Sequence, residues 1–411
     1  MTPPAPTLEF GSTARTHWEF DSDLVFLNHG SFGAVPRDLQ NRAIEVRREI
    51  ERNPVEGVWR SGVRSIRRVA EEVAEFVGGH PDRTGFVTNA TAAINAFLDS
   101  FPLEPGDEVL HLDHGYNAVW QTLLMVARRR GIVPRKVALA IPCRGASVVV
   151  ETIMSACTKR TRLIVLDQIT SPTALRLPVA EIVAAAKSLN IEVLVDGAHA
   201  PGMLDRPALE GDPAGWTGNL HKWPCAVRGC AVLCVRSDLA GQIKPPVISH
   251  SLDESYGAEF DWQGTFDPTP WLLAGEAIRF MDRFGGWNVV RERNHALAVR
   301  MQEMLCRRFG VDPISPLDGS MLGCMATIPF PDRLQLGVEG PPPEVMQAEL
   351  LAKHRIEIPV MDFAGRRHLR ISCHVYNDSL DYERLADAMD AMDAMGAMGA
   401  MGAIEKRGAV G

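Results

Sequence analysis

Lysine is scarce in this chain. Of 43 basic residues among 411, only seven are lysines: Lys136, Lys159, Lys187, Lys222, Lys244, Lys353 and Lys406. Codon bias in a GC-rich genome accounts for most of that skew, yet any chemistry that needs an amine nucleophile has only seven side chains to draw on. A basic excess is missing too. The net charge of −8 excludes the positive field of a general nucleic-acid binder. No apolar run approaches the roughly 20 residues of a membrane span. The opening MTPPAPTLEFGSTARTHWEF has no charged start followed by an apolar core, so no signal peptide is expected. Cys143, Cys157, Cys225, Cys230, Cys234, Cys306, Cys324 and Cys373 form no CxxC, and several lie in apolar runs. They read as reduced core residues of a cytoplasmic protein, with neither a disulfide frame nor a metal site. The sequence has no GxxxxGK[ST], no GxGxxG after a strand and no HExxH, which weakens nucleoside-triphosphate, dinucleotide and zinc-protease readings.

What is present is ordinary globular material, 46% hydrophobic and 23% charged, in a chain long enough for one large domain and a smaller companion. Short apolar runs at Gly85–Thr88, Glu108–Leu112, Arg162–Asp167, Glu192–Asp196 and Cys230–Val235 predict strands. Helical patterns lie between them at Ala90–Ser100, Ala118–Arg130 and Val179–Leu189. Near-continuous apolar strands alternating with helices predict an α/β fold with a mostly parallel sheet sandwiched by helices. From Trp271 the texture changes to helices over Trp271–Phe284 and Val289–Phe309 and strands over Met321–Ile328 and His368–Cys373, which suits a smaller α+β domain. The expected organisation is an N-terminal arm (1–25), a large domain (26–270), a small domain (271–388) and a low-complexity tail (389–411). In that tail Met389, Met392, Met395, Met398 and Met401 recur every third residue, and the helix is expected to fray.

Three segments carry chemistry. Val193–Asp196 is an apolar strand ending in an aspartate, followed by Gly197-Ala198-His199, and ligands in open α/β sheets sit beyond the carboxyl ends of strands. Taken alone, such an aspartate more often caps the next helix. Twenty-six residues on, Lys222 stands between His221 and Trp223, an unusual context for a surface lysine. Thr88-Asn89-Ala90-Thr91 marks a strand giving way to a helix, whose free amides and dipole suit an anion; Asn89 or Thr91 could equally be a plain N-cap. Together, an amine, a carboxylate and a phosphate cradle are what pyridoxal 5′-phosphate requires: a lysine to carry the cofactor and move protons, and an acid to keep its ring nitrogen protonated.

In this order the chain resembles the class V aminotransferase-type, fold-type I pyridoxal-phosphate enzymes, specifically the isopenicillin N epimerase-like branch. The resemblance runs from about Phe26 to Leu385. It rests on Leu27–Gly33 (LNHGSFG), Asn89–Thr91, Asp167–Pro172 (DQITSP), Asp196–Gly202 (DGAHAPG), Gly218–Trp223 (GNLHKW), Gly264-Thr265, and Arg370–Ser372 with Tyr376-Asn377. It implies an aspartate aminotransferase-like fold, with Lys222 as the cofactor-bearing lysine and Asp196 on the ring nitrogen. His199 would contact the phenolic oxygen. Ala90 and Thr91, with Asn89, would cradle the phosphate, helped by Asn219 or His221. Thr265 would reach the phosphate of a neighbouring subunit, hence a homodimer with shared sites. Tyr116, in preference to His114, would stack on the ring. Arg370 would clamp the substrate carboxylate, and Asn28 and His29 would line the substrate entrance.

The chain also departs from the branch at Ala174, where relatives commonly have glycine, at Phe266, where many have arginine, and at Val227-Arg228-Gly229, where many read Pro-Lys-Gly. The Phe266 change implies a different or bulkier substrate. The branch includes epimerases, cysteine desulfhydrase-like lyases and antibiotic-tailoring enzymes acting on S-cysteinyl conjugates. The expected activity is therefore C–S β-elimination on a cysteine-derived substrate, ahead of decarboxylation-coupled oxidative deamination, epimerisation and simple transamination. A binding protein that kept the fold and lost the chemistry is the alternative from another class. The intact Asp196, His199 and Lys222 argue against it.

Overall fold

The computed structural model describes residues 9–334 and 341–392. In chain order its strands are β1 (Val25–Phe26), β2 (Thr84–Val87), β3 (Glu108–Leu112), β4 (Val133–Val137), β5 (Thr161–Asp167), β6 (Glu192–Asp196), β7 (Gly215–Asn219), β8 (Ala231–Val235), β9 (Met325–Pro329), β10 (Ile356–Glu357), β11 (Val360–Phe363) and β12 (Arg366–Ser372). Seven form one sheet in the order β2-β8-β7-β6-β5-β3-β4. Strands β3 to β7 run parallel, and β8 is antiparallel to both its neighbours. The mostly parallel α/β expectation therefore holds. Strands β4 and β7 had no counterpart in the sequence reading. The first, VPRKV, breaks its apolar run with Arg135 and Lys136 and is buried only at Val137; the second, GWTGN, has one large apolar side chain.

Both faces of the sheet are covered, which explains its unbroken apolar strands. In β5, Leu163 and Val165 pack with Ile94 and Phe97 of helix Ala90–Ser100 and with Val119 and Leu123 of helix Asn117–Arg130. Ile164 and Leu166 face the other way, onto Ile66, Val69 and Val73 of helix Ser61–Val77 and Val179 and Ile182 of helix Val179–Ser188. Each face thus buries its own period-2 set. The carboxyl ends of β5 and β6 finish side by side, pairing Asp167 with Asp196.

The C-terminal part builds a separate antiparallel sheet, β11-β12-β9, covered by helix Trp287–Phe309 and by a helix over 379–392. The single helix expected over Trp271–Phe284 is broken into Thr269–Leu272, Ala274–Phe280 and a 3-10 turn at Met281–Phe284. The segment expected as an N-terminal arm packs onto the body of the fold. Trp18 is buried against Phe280 and Tyr376, its indole N–H donates to the Ala34 carbonyl, and β1 pairs in parallel with β10. At the other end, Met389 and Met392 are buried in the C-terminal core; the fraying expected where glycine enters at 396 lies outside the described residues. Met395, Met398 and Met401 lie outside the described residues. All eight cysteines are free thiols, and all except the part-buried Cys157 are buried. Among the described residues no helix is long and apolar enough to cross a membrane.

Candidate active site

Lys222 lies in the turn between β7 and β8, just beyond the end of the sheet where β5 and β6 also finish. Its ammonium group lies 3.4 Å from Nε2 of His199, which follows β6. Burial, and then the nearby Arg370 guanidinium, lower its pKa from 10.5 to about 7 against the opposing pull of Asp196 and Asp167. At neutral pH a large fraction of this amine is therefore unprotonated and nucleophilic.

Two carboxylates stand at the same end. Asp196 is buried and accepts the Ala198 N–H at 2.9 Å, so part of it does cap the following turn. Asp167 is its register neighbour, and one of its carboxylate oxygens is buried without a partner. Burial raises both pKa values; the Asp196 charge raises that of Asp167 further. His199 is kept neutral, first by burial and then by the charges of Lys222 and Arg370, and its Nδ1 is also buried without a partner.

Beside them, helix Ala90–Ser100 points its N-terminus toward the Lys222 turn through Asn219. The Asn219 side chain accepts the Ala90 N–H, and Asn89 caps the helix by accepting the Ala92 N–H. That leaves the Thr91 amide as the free N–H of the first turn. His221 lies next to Lys222 with Nδ1 2.9 Å from the Cys230 carbonyl; burial holds its pKa near 4.

Arg370, on β12, crosses from the C-terminal sheet to this cluster. It is 4% exposed, and its Nη atoms donate to the Ser171 carbonyl and hydroxyl and to the Ser31 hydroxyl. Among the described residues no acid pairs with it, and its Nε is buried without a partner. Ser31 in turn donates to Asn28, whose amide donates to Glu357. Asn28 therefore acts through Ser31 on Arg370. A buried guanidinium with no counter-charge is costly unless an anion arrives to meet it.

The two aromatic alternatives separate clearly. His114 is fully buried: Nε2–H donates to the Leu139 carbonyl, so Nδ1 accepts from the Thr173 hydroxyl, and the ring packs against Phe363. Tyr116 immediately precedes helix Asn117–Arg130, is half exposed and lies close enough to Arg370 to interact with its charge. His29 departs from expectation. It does not line an entrance but is fully buried under the Lys222 turn. Thr265 is exposed on the segment after Trp262. Asp167, Ser171, Ser31 and Tyr376 lie in the family segments with no role implied for them, and His374 lies between two of those segments.

Gly33 lets the 28–33 turn approach Lys222. It has φ +68°, and a Cβ there would stand 2.1 Å from the His221 carbonyl oxygen. Gly33→Ala is expected to destabilise the fold by at least about 1–3 kcal/mol. A thermal midpoint within 1 °C or so of the parent would contradict this.

The set suits pyridoxal phosphate: a free amine for its aldehyde, a buried acid for its ring nitrogen, unpartnered polar atoms on His199 and Asp167, and a helix start for its phosphate. The class-V aminotransferase family model matches residues 44–333. Isopenicillin N epimerase of Amycolatopsis lactamdurans is 31% identical over 398 residues, covering 92% of this chain and 97% of the relative. A putative L-cysteine desulfhydrase of Oryza sativa subsp. japonica is 29% identical over 417 residues, covering 92% and 86%. In three dimensions, the solved structure of C-DES with glycine linked to its pyridoxal-phosphate cofactor superposes with a TM-score of 0.76 at 18% identity, over 91% of this chain and 98% of that one. The chain belongs to the class-V aminotransferase family, and it is a fold-type I enzyme that works with pyridoxal 5′-phosphate.

Proposed function

We propose that this enzyme cleaves the Cβ–S bond of a cysteine-derived amino acid or S-cysteinyl conjugate by β-elimination. The observation that carries the reading is the pairing of one near-neutral amine, Lys222, with one unpaired buried guanidinium, Arg370. Arg370 takes the α-carboxylate; Lys222, lying near it, takes the Cα proton. When bound, the cofactor supplies an aldehyde for the substrate amine and an electron-accepting ring. Asp196 would hold the proton on its ring nitrogen, His199 would meet its phenolic oxygen, and Tyr116 would cover its face. Its phosphate would be held at the helix start by the Thr91 amide with Asn89, Asn219 and His221, whereas the Ala90 N–H, expected on the phosphate, is taken by the Asn219 side chain. With the carboxylate fixed, loss of the Cα proton and departure of the thiolate from Cβ give thiol and an enamine, which water converts to pyruvate and ammonium. In a homodimer, the exposed Thr265 of each copy would reach the phosphate in its neighbour's site.

Epimerisation is the second reading, favoured by the 31% identity to isopenicillin N epimerase. It requires a second acid on the opposite face. His199 is held neutral, and His114 is locked in the interior. Both facts favour a single-base reaction. The test is to incubate the cofactor-loaded enzyme with an S-alkyl cysteine in deuterated buffer and follow it by mass spectrometry. Thiol with pyruvate is expected. Deuterium at Cα without fragmentation, with the opposite enantiomer recovered, would establish the epimerase, and CO₂ the decarboxylating route. A colourless protein that takes up no cofactor would defeat every catalytic reading.

A further inference from the structure

Behind Lys222 lies a buried cluster with no place in the chemistry above. His29 and His374 stack with ring centroids 4.0 Å apart and planes inclined by 20°. His29 comes from the 28–33 turn near the N-terminus, and His374 from the loop after β12. Both grip the backbone of the lysine turn. Nε2 of His29 lies 2.9 Å from the Lys222 carbonyl, and Nε2 of His374 lies 3.2 Å from the carbonyl of the next residue, Trp223. A carbonyl can only accept, so both Nε2 atoms carry protons. Nδ1 of His29 is then an acceptor, and the Tyr376 hydroxyl donates to it at 2.6 Å. The tyrosine thereby fixes the tautomer the histidine needs.

The same short turn also touches the other reactive group. Two residues after His29, Ser31 accepts from the Arg370 guanidinium, and Gly33 lies against the His221 carbonyl. One segment is thus tied to the backbone that carries the amine and to the side chain that carries the guanidinium. We propose that the Asn28–Gly33 turn is a positioning brace. His29, supported by Tyr376 and His374, fixes the Lys222 backbone, while Ser31 fixes Arg370, so the turn sets the spacing between the group that takes the Cα proton and the group that holds the carboxylate. This rests on the roles given to Lys222 and Arg370 above and assigns positioning roles to residues that touch neither substrate nor cofactor.

Cys225 Sγ lies 3.6 Å from Nε2 of His374 and 3.9 Å from Nε2 of His29, and the three ligand atoms could close on a metal ion. The brace needs those nitrogens protonated and pointing at carbonyls, so the two arrangements are exclusive.

The test uses cofactor-loaded enzyme. His29→Leu is expected to remain yellow and folded but to lose about 10²-fold in kcat, as expected for an Ångström-scale misplacement of a reacting group. KM should change little, and the circular dichroism of the visible band relative to its absorbance should fall. His29→Gln, whose amide can donate to Lys222 and accept from Tyr376, should recover most of the loss. Ser31→Ala should instead raise KM about tenfold with a smaller effect on kcat. Elemental analysis of the parent should find no stoichiometric metal. A His29→Leu variant with parental kcat and band shape overturns the brace, as does a loss that Gln fails to recover. Stoichiometric metal lost in Cys225→Ala also overturns it. If the parent itself takes up no cofactor, the fault lies in the earlier reading and not in the brace.

Discussion

Lys222→Ala should yield a folded protein without the visible absorbance of the parent, its turnover reduced at least about 10⁴-fold. The size follows from the turn's electrostatics. An exposed lysine at pH 7 is unprotonated in only about one molecule per thousand or fewer. Burial and the Arg370 charge bring Lys222 to about 7 and remove most of that handicap. Among the described residues no other lysine is placed to substitute. Lys244 is held between Asp253 and Glu259 at 2.9 and 2.7 Å, Lys353 pairs with Glu349, and Lys136 lies over the Trp120 ring. The same shift has a consequence for stability. In the unfolded chain Lys222 titrates at its ordinary 10.5, so between about 7 and 10.5 the unfolded state binds more protons than the folded one. Stability of the cofactor-free protein should rise with pH across that window. Below about 7 both states are protonated, and the full cost of the buried ammonium falls on the folded protein. Lys222→Ala should abolish the slope and be the more stable protein at pH 7. Thermal melts of both apoproteins from pH 6 to 10 check this, and parallel curves would contradict it.

The sequence made some of this legible and hid the rest for physical reasons. Strands β5 and β6 could be read because both faces of the sheet are buried and their side chains are almost all apolar. Helix Arg37–Glu51 escaped notice because its apolar face, Leu39, Ala43, Val46 and Ile50, is diluted by charges that pair only in three dimensions, such as Arg42 with Glu45 and Glu49. Asp196, His199 and Lys222 were legible as an ordered set within 27 residues. Asp167 ends its strand with the same pattern as Asp196, but only the parallel register shows that the two acids are neighbours. His29 was misplaced because its partners are 193 and 347 residues away. Nothing local distinguishes a histidine that faces a substrate from one that holds a backbone carbonyl. The scarcity of lysine, uninformative about function, makes the central substitution easier to interpret.

Arg370→Leu should raise KM for an amino-acid substrate about 10²–10³-fold, the expected loss of a bidentate, charge-assisted pair in a buried site. It should do so without destabilising the cofactor-free protein. The guanidinium is 4% exposed, its pKa is lowered from 12.5 to about 10 by burial, and its partners are a carbonyl and two hydroxyls, with no carboxylate. Such a cation is a cost to the empty fold that only an anionic ligand repays, so replacing it with a shorter apolar group should leave the thermal midpoint at or above that of the parent. A third effect follows from its position. After burial, the Arg370 charge is the next cause lowering the Lys222 pKa. Removing it should therefore move Lys222 back toward 10.5, and an acylating reagent should reach half its maximal rate of labelling Lys222 at a higher pH than in the parent. Arg370→Lys should keep the charge and most of the Lys222 effect while losing the paired geometry, so KM should still rise. A weakened KM alone could come from any damage to the cavity. Weaker substrate binding, unchanged or greater stability and a raised Lys222 pKa together are the signature of an unpaired cation poised for a carboxylate. A parental KM in Arg370→Leu, or a marked fall in its thermal midpoint, would assign the guanidinium to the fold and not to the substrate.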